Sequence, residues 1–336
     1  MAQTITLQQA AGGASFVGLI SPFHTGFGTV NGLGIGNPAA GLTKLAVAGG
    51  EFYYTPYTIT LAAANNGHPA IVHAYISTNF SNPTSVIQLM SCPNPGPCNA
   101  FGSYAALPTT QAGEITVLPT QTASGNYTAY LGLFVGNTNG VAITANDSAT
   151  ITFDVFDQQH NSTTSVRLQL DLPRVNVQTA VQLQLSAAPS GIAINSGGST
   201  DYTASFGTVN GLGIGPGAGL TVVSGQAPSG IIYSTPYLLL PAFSGFSSAN
   251  ATKITVYVST DFVHSSVLKL YDSQSQLSGY NAISKTSGAG ATTITNAAAN
   301  GTPITEYLGL FVSNINGPTS YRGADSATLT YTITVQ

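Results

Sequence analysis

The decapeptide Phe27-Gly28-Thr29-Val30-Asn31-Gly32-Leu33-Gly34-Ile35-Gly36 recurs without a change as Phe206 to Gly215. Ten consecutive identities do not arise by chance within one chain, so the sequence carries an internal duplication. Other echoes keep the same order. Thr55-Pro56-Tyr57 returns as Thr235-Pro236-Tyr237, Ala74 to Phe80 as Val256 to Phe262, Tyr130 to Val135 as Tyr307 to Val312, and Asp147 to Thr152 as Asp325 to Thr330. The offsets drift between 177 and 182, which places insertions and deletions in loops. A period this long exceeds any solenoid unit and fits two whole domains of one fold.

Within each copy, apolar residues alternate with period two, as in Tyr57-Thr58-Ile59-Thr60-Leu61 and Thr150-Ile151-Thr152-Phe153-Asp154-Val155-Phe156. Such alternation marks strands with one face buried. Leu131-Gly132-Leu133-Phe134-Val135 is apolar on both parities and reads as a central strand. Clusters of Gly, Pro, Asn and Ser punctuate these runs, and no window holds a helical stripe with caps. The fold class is therefore all-β: two tandem antiparallel β-sandwiches, Ig-like or jelly-roll-like, of about seven to nine strands each.

The expected boundaries are residues 1–157 for the first sandwich, 158–179 for a connecting segment and 180–336 for the second. The connector contains an alternating strand, 166–172, that has no equivalent after the matching strand near Gln336. A sandwich without that strand exposes unpaired N–H and C=O groups and accepts a strand from elsewhere. The candidate donor is the amino-terminal run Thr4, Ile5, Thr6, Leu7 and Gln8 of a neighbouring copy, whereas the segment 166–172 completes the first domain within the chain. A head-to-tail contact of this kind builds an open filament unless its rotation closes. The other reading makes Ile5 and Leu7 an ordinary edge strand of their own domain.

Composition narrows the setting. Seven Lys/Arg and eleven Asp/Glu make only 5% of the chain charged, against roughly a quarter in ordinary soluble domains. So few cations cannot neutralise a nucleic-acid backbone or coat an anionic membrane. Hydrophobic residues at 43% and sixteen Tyr with fourteen Phe argue against disorder. No run approaches the ~20 apolar residues of a spanning helix, and Met1-Ala2-Gln3-Thr4 lacks the basic start of a signal peptide. Six sequons, at Asn79, Asn126, Asn146, Asn161, Asn250 and Asn300, are candidate glycosylation sites and point to the cell surface or beyond. Cys92 and Cys98 bracket a stiff Pro93-Asn94-Pro95-Gly96-Pro97 loop. A disulfide is the favoured reading outside the cell and a pair of free thiols the other; a zinc site would need two more strong ligands.

Candidate chemistry is sparse. The Gly-rich decapeptide matches neither phosphate-binding glycine pattern and reads as a turn. His24, His68, His73, His160 and His264 share no metal-ligand spacing, and no serine-hydrolase or zinc-protease signature occurs. Glu51, Glu114, Asp154, Asp157, Asp171, Asp201, Asp272 and Glu306 are available for the paired-carboxylate chemistry of glycosidases, but most lack a counterpart in the other copy. The duplicated Asp147 and Asp325 open the same strand and are expected to hold a turn backbone, with calcium ligation the lesser reading. Tyr53, Tyr54, Tyr57, Tyr233 and Tyr237 are the residues a sugar platform would use, although the chain has no Trp. No enzyme activity, cofactor or metal is expected.

With its alternating strand Thr4 to Gln8, scarce charge, sequons and Thr/Ser/Asn-rich strands, the chain resembles β-sandwich subunits of prokaryotic extracellular filaments assembled by donor-strand exchange, such as archaeal threads, bundling pili and TasA-like fibres. The resemblance implies a structural subunit without catalytic residues whose partner is another copy of itself. The rival expectation is a secreted adhesin or glycan-binding module, with surface glycans or other cells as partners.

Overall fold

The computed structural model describes residues 4–18, 21–62, 68–93, 97–137, 143–157, 168–198, 201–226, 229–246, 252–314 and 323–335. Contacts divide the chain into two compact units: Met1–Ala180 with Phe243–Ser248, and Val181–Ala242 with Ala249–Gln336. The described residues form strands, with three single-turn 3₁₀ segments.

The first unit contains β1 (Thr4–Gln9), β2 (Phe23–His24), β3 (Gly28–Val30), β4 (Thr43–Val47), β5 (Gly50–Ala62), β6 (Ala70–Thr78), β7 (Ile87–Cys92), β8 (Ala105–Ala106), β9 (Ile115–Gln121), β10 (Gly125–Gly136), β11 (Asn146–Asp157) and β12 (Leu168–Val177). One sheet runs β1-β5-β10-β7-β8 with β4 beside β5, the other β2-β12-β11-β6-β9 with β3 beside β12. The count exceeds the expected seven to nine because β2, β3 and β8 are pieces of two or three residues, too short to leave a periodic trace in sequence.

Alternation sets which residues face inward. Tyr57, Ile59 and Leu61 of β5 meet Ile151, Phe153 and Val155 of β11 in one core, with Tyr57 edge-on to Phe153 and their ring centroids 6.0 Å apart. The run Leu131 to Val135 lies in β10 between β5 and β7, the central position its double-sided apolarity predicts.

The second unit contains β13 (Ala180–Ala187), β14 (Ile194–Ser196), β15 (Tyr202–Ala204), β16 (Thr221–Val223), β17 (Gly230–Ser244), β18 (Thr252–Thr260), β19 (Leu268–Ser273), β20 (Asn281–Ala282), β21 (Thr292–Thr295), β22 (Ile304–Ser313) and β23 (Thr328–Val335). Its first sheet, β13-β17-β22-β19-β20 with β16 beside β17, repeats the order of the first unit strand for strand. Its second sheet is only β21-β18-β23, with β14 and β15 forming a separate pair. Tyr233, Tyr237, Leu239, Ile254 and Val256 centre its core.

Candidate functional site

The two units diverge at one place. In the first, β11 pairs with β6 on one side and with β12 on the other. Its counterpart β23 pairs with β18 alone among the described residues. β12 inserts Leu172, Val175 and Val177, all essentially buried, between the sheets. At ~1.5–3 kcal/mol for each buried side chain, these three contribute on the order of 5 kcal/mol to closing the first unit.

The side chains beside that position record the difference. Ile151, Phe153 and Val155 of β11 are at most 1% exposed, whereas the matching Leu329, Tyr331 and Ile333 of β23 are half-buried. Ile5 and Leu7 are buried; Leu183 and Leu185 of β13 are only partly covered. Phe27 and Val30 are closed from solvent at 1% and 0%, and their copies Phe206 and Val209 are not.

The repeated decapeptide is an internal control, because the same ten residues meet two environments. In both copies Asn31 or Asn210 organises a turn: its Oδ1 accepts from the backbone N–H groups two and four residues on, and its carbonyl accepts from the hydroxyl of Tyr53 or Tyr233. Gly34 and Gly213 supply the positive φ of +68° and +73° that this turn requires. The turn reading of the glycines therefore holds. The flank differs. Gly28–Val30 is a strand lying parallel to β12, with Val175 opposite Gly28 and Val177 opposite Val30. Residues 207–209, identical in sequence, form no strand. A partner strand, not local propensity, decides which structure this segment takes.

Thr4 to Gln8 lies in β1, antiparallel to β5 of its own unit, with Ile5 opposite Leu61 and Leu7 opposite Ile59. It occupies the place that β13 holds in the second unit, so in the single chain it sits as an own-domain strand. Of the expected strand 166–172, the described part, from Leu168, belongs to the longer β12; Val166 and Arg167 lie outside the described residues.

The duplicated aspartates brace the loop after β6 or β18. Asp147 accepts from the N–H groups of Ser81, Asn82 and Ser148 and from the Asn82 amide, at 2.7 to 2.9 Å. Asp325 accepts from the N–H groups of Val263, His264 and Ser326, and His264 Nδ1, standing where Asn82 stands in the first unit, lies 3.0 Å away. Burial pushes both carboxyls up, but these donors outweigh it: Asp147 is held below the ordinary carboxylate range and Asp325 is held down to about 2. Carboxylates occupied by N–H donors serve the turn and leave no lone pairs arranged for calcium. Among the described residues no group of three or more His, Cys, Asp or Glu is placed to hold a metal ion.

Cys92 and Cys98 form a disulfide. Exposed Asn79, Asn126 and Asn146 and half-buried Asn300 lie on the described surface, whereas Asn161 and Asn250, like His160, fall outside the described residues. Tyr53, Tyr57, Tyr233 and Tyr237 are at most 3% exposed and pack inside the units, so they offer no sugar platform. His73 lies 3.1 Å from Glu114, and Asp154 accepts from the Gln111 amide at 2.7 Å; both tie a short turn to the outside of the sheet.

Asp272 and Glu306, named in sequence only among the available carboxylates, come together in the structure. Asp272 of β19 and Glu306 of β22 both point into the second core, 7% and 1% exposed. The signal was parity: Asp272 follows Leu268 and Leu270 at spacing two, and Glu306 precedes Leu308, Leu310 and Val312 at the same spacing. Tyr331 donates to the Tyr237 hydroxyl at 3.1 Å and Tyr237 donates to Asp272 Oδ1 at 3.2 Å. Asp272 also lines a polar cleft of about 340 Å³ with Gln274, Ser278, Asn281 and Thr292. Glu306 is buried and does not line this cleft, so the two carboxyls do not open onto it together as a glycosidase pair would.

No protein-family model and no curated protein matches the chain. Solved structures similar to it include the CupB6 tip adhesin from Pseudomonas aeruginosa, at 8% identity over 98% of this chain and 94% of that one, with a TM-score of 0.33. A chaperone-tip adhesin complex of CFA/I fimbriae follows at 10% identity, 99% and 84% coverage and 0.25. CfaE, the adhesive subunit of CFA/I fimbria of enterotoxigenic Escherichia coli, is matched at 10% identity, 98% and 86% coverage and 0.19. Scores of this size decide nothing about this chain, whose class rests on its own geometry: a pair of all-β units, one with β12 in place and one in which, among the described residues, β23 pairs on one side only.

Proposed function

We propose that the protein is a structural subunit of an extracellular filament, polymerising head to tail through a strand that a neighbouring copy lays against β23. The observation that carries this reading is the comparison within the chain: identical sequence beside β12 is a strand, and without such a neighbour is not. An edge with half-buried Leu329, Tyr331 and Ile333 and no charged residue along β23 lacks the Lys and Glu guards by which monomeric sheets discourage pairing.

Chain order favours the amino-terminal segment as donor. β12, which closes the first unit, directly precedes β13, the counterpart of β1, so in a head-to-tail row the part of the chain that comes next to an open β23 is the amino-terminal end of the following copy. Thr4 to Gln8 carries the required alternation. Because β5 already holds it, its donation is an exchange that frees Ile5 and Leu7 from the first core before they enter the second. The disulfide and the nearly uncharged surface suit an extracellular setting.

The test is self-complementation. Appending a copy of residues 158–177 after Gln336 supplies the strand within the chain; this variant is expected to remain monomeric under conditions in which the unaltered protein forms regular fibres by negative-stain microscopy. Deleting residues 2–12 is expected to abolish fibres as well. Fibres that persist in the self-complemented variant would contradict strand uptake at β23. The adhesin alternative has one support, the polar cleft beside Asp272, and predicts discrete particles that bind a glycan array.

A further inference from the structure

The second unit places two buried carboxyls at inward-facing core positions where the first unit has none. Tyr237, Asp272, Glu306 and Tyr331 occupy the positions of Tyr57, Ser91, Ala129 and Phe153 in the first unit. There Tyr57 faces a serine and an alanine, and Phe153 offers no hydroxyl. Glu306 stands directly across from Tyr237 on the neighbouring strand, and its Oε2 is buried without a hydrogen-bond partner. Such a core costs free energy when the carboxyls are charged and much less when they carry protons.

We propose that Asp272 and Glu306 form a proton-binding site inside the second unit, one that makes this unit most stable in acid and loosens it as the surroundings turn neutral and then alkaline. The inference stands without the filament reading, since it concerns a single chain. The ionisable groups facing the pair are phenols, Tyr237 from β17 and Tyr331 from β23, while Tyr280, packed with Ile232 and Phe311 on the other face of the sheet, feels the Asp272 charge. The lysines of the adjoining strands, Lys269 of β19 and Lys253 of β18, lie at the opposite parity to inward-facing Leu270 and Ile254 and point away. No cation is therefore turned toward the pair among the described residues of these strands.

Desolvation pushes Asp272 up to about 6, against which the Tyr237 hydroxyl pulls, and desolvation with the neighbouring Asp272 charge pushes Glu306 up to about 8. Both carboxyls thus hold protons more tightly folded than unfolded. Stability from protonation is complete below their ordinary values near 4 and is lost as pH climbs through about 6 and about 8. Tyr331 belongs to the open edge strand, so the proton state of the pair is felt at β23.

Carbon-13 carboxyl titration of the full chain by NMR, with thermal unfolding between pH 4 and pH 9, tests the proposal. Glu306 is expected to titrate far above an ordinary glutamate, and the unfolding midpoint of the second unit is expected to fall by roughly 10 °C across that range. Glu306→Gln, and the Asp272→Ser/Glu306→Ala pair that restores the residues of the first unit, are expected to flatten this dependence. Titration of both carboxyls at their ordinary values in the folded wild type would overturn the proposal, and that readout does not depend on any variant folding.

Discussion

Asp147 and Asp325 do the same work in two units that otherwise differ, each satisfying a cluster of backbone N–H groups after the preceding strand. Replacing Asp147, which is 3% exposed, by Ala leaves those donors unpaired and is expected to cost about 2 kcal/mol, read as a lowered midpoint in urea unfolding of the first unit. Asp325→Asn is expected to lower the thermal midpoint of the second unit. Because both carboxyls are held down in the folded chain, their contribution is present above pH 4 and fades as pH falls through the ordinary aspartate value toward about 2 for Asp325. The second unit therefore has losses on both sides: Asp325 below pH 4, and Asp272 with Glu306 above it. Its thermal midpoint is expected to peak near pH 4 to 5. Duplication made the turn aspartates legible in sequence, since a residue kept at the start of the same strand in both copies has a shared structural task. Asp272 and Glu306 were hidden by the same comparison, because neither has a carboxylate counterpart, and only strand parity placed them inside.

Among elements, β12 carries the contrast. Leu172 is fully buried by a strand that closes the first unit, whereas Leu329 of β23 lies half-open beside an edge. Leu172→Ala is expected to cost about 3 kcal/mol in the first unit and Leu329→Ala about 1 kcal/mol in the second, by urea unfolding of each variant. Equal costs would mean that the second unit is closed in solution. The alternating runs that became β5, β10 and β11 were visible in sequence because burial of one face imposes period two on any long strand. The short strands β2 and β3 were not, since their pairing is parallel to a strand more than a hundred residues away and no local pattern encodes it. The decapeptide makes the point sharply: Gly28–Val30 and residues 207–209 have one sequence and two structures.

For the molecule as a whole, scarcity of charge connects the sequence to the proposed assembly. Few Lys and Glu leave sheet edges unguarded, and among the described residues β23 is an unguarded edge flanked by a half-covered core. The sequence pointed to a second unit short of a strand. It left open which sheet was short, and the structure places the difference in the sheet of β23, opposite the one that receives β1 and β13. The most direct measurement is amide hydrogen exchange of the full chain with and without a synthetic peptide of sequence Leu168–Val177. Uptake of the peptide at β23 predicts slowed exchange across Thr328–Val335 and, because β3 forms only beside β12, across residues 207–209 as well. Unchanged exchange in both segments at saturating peptide would contradict the account.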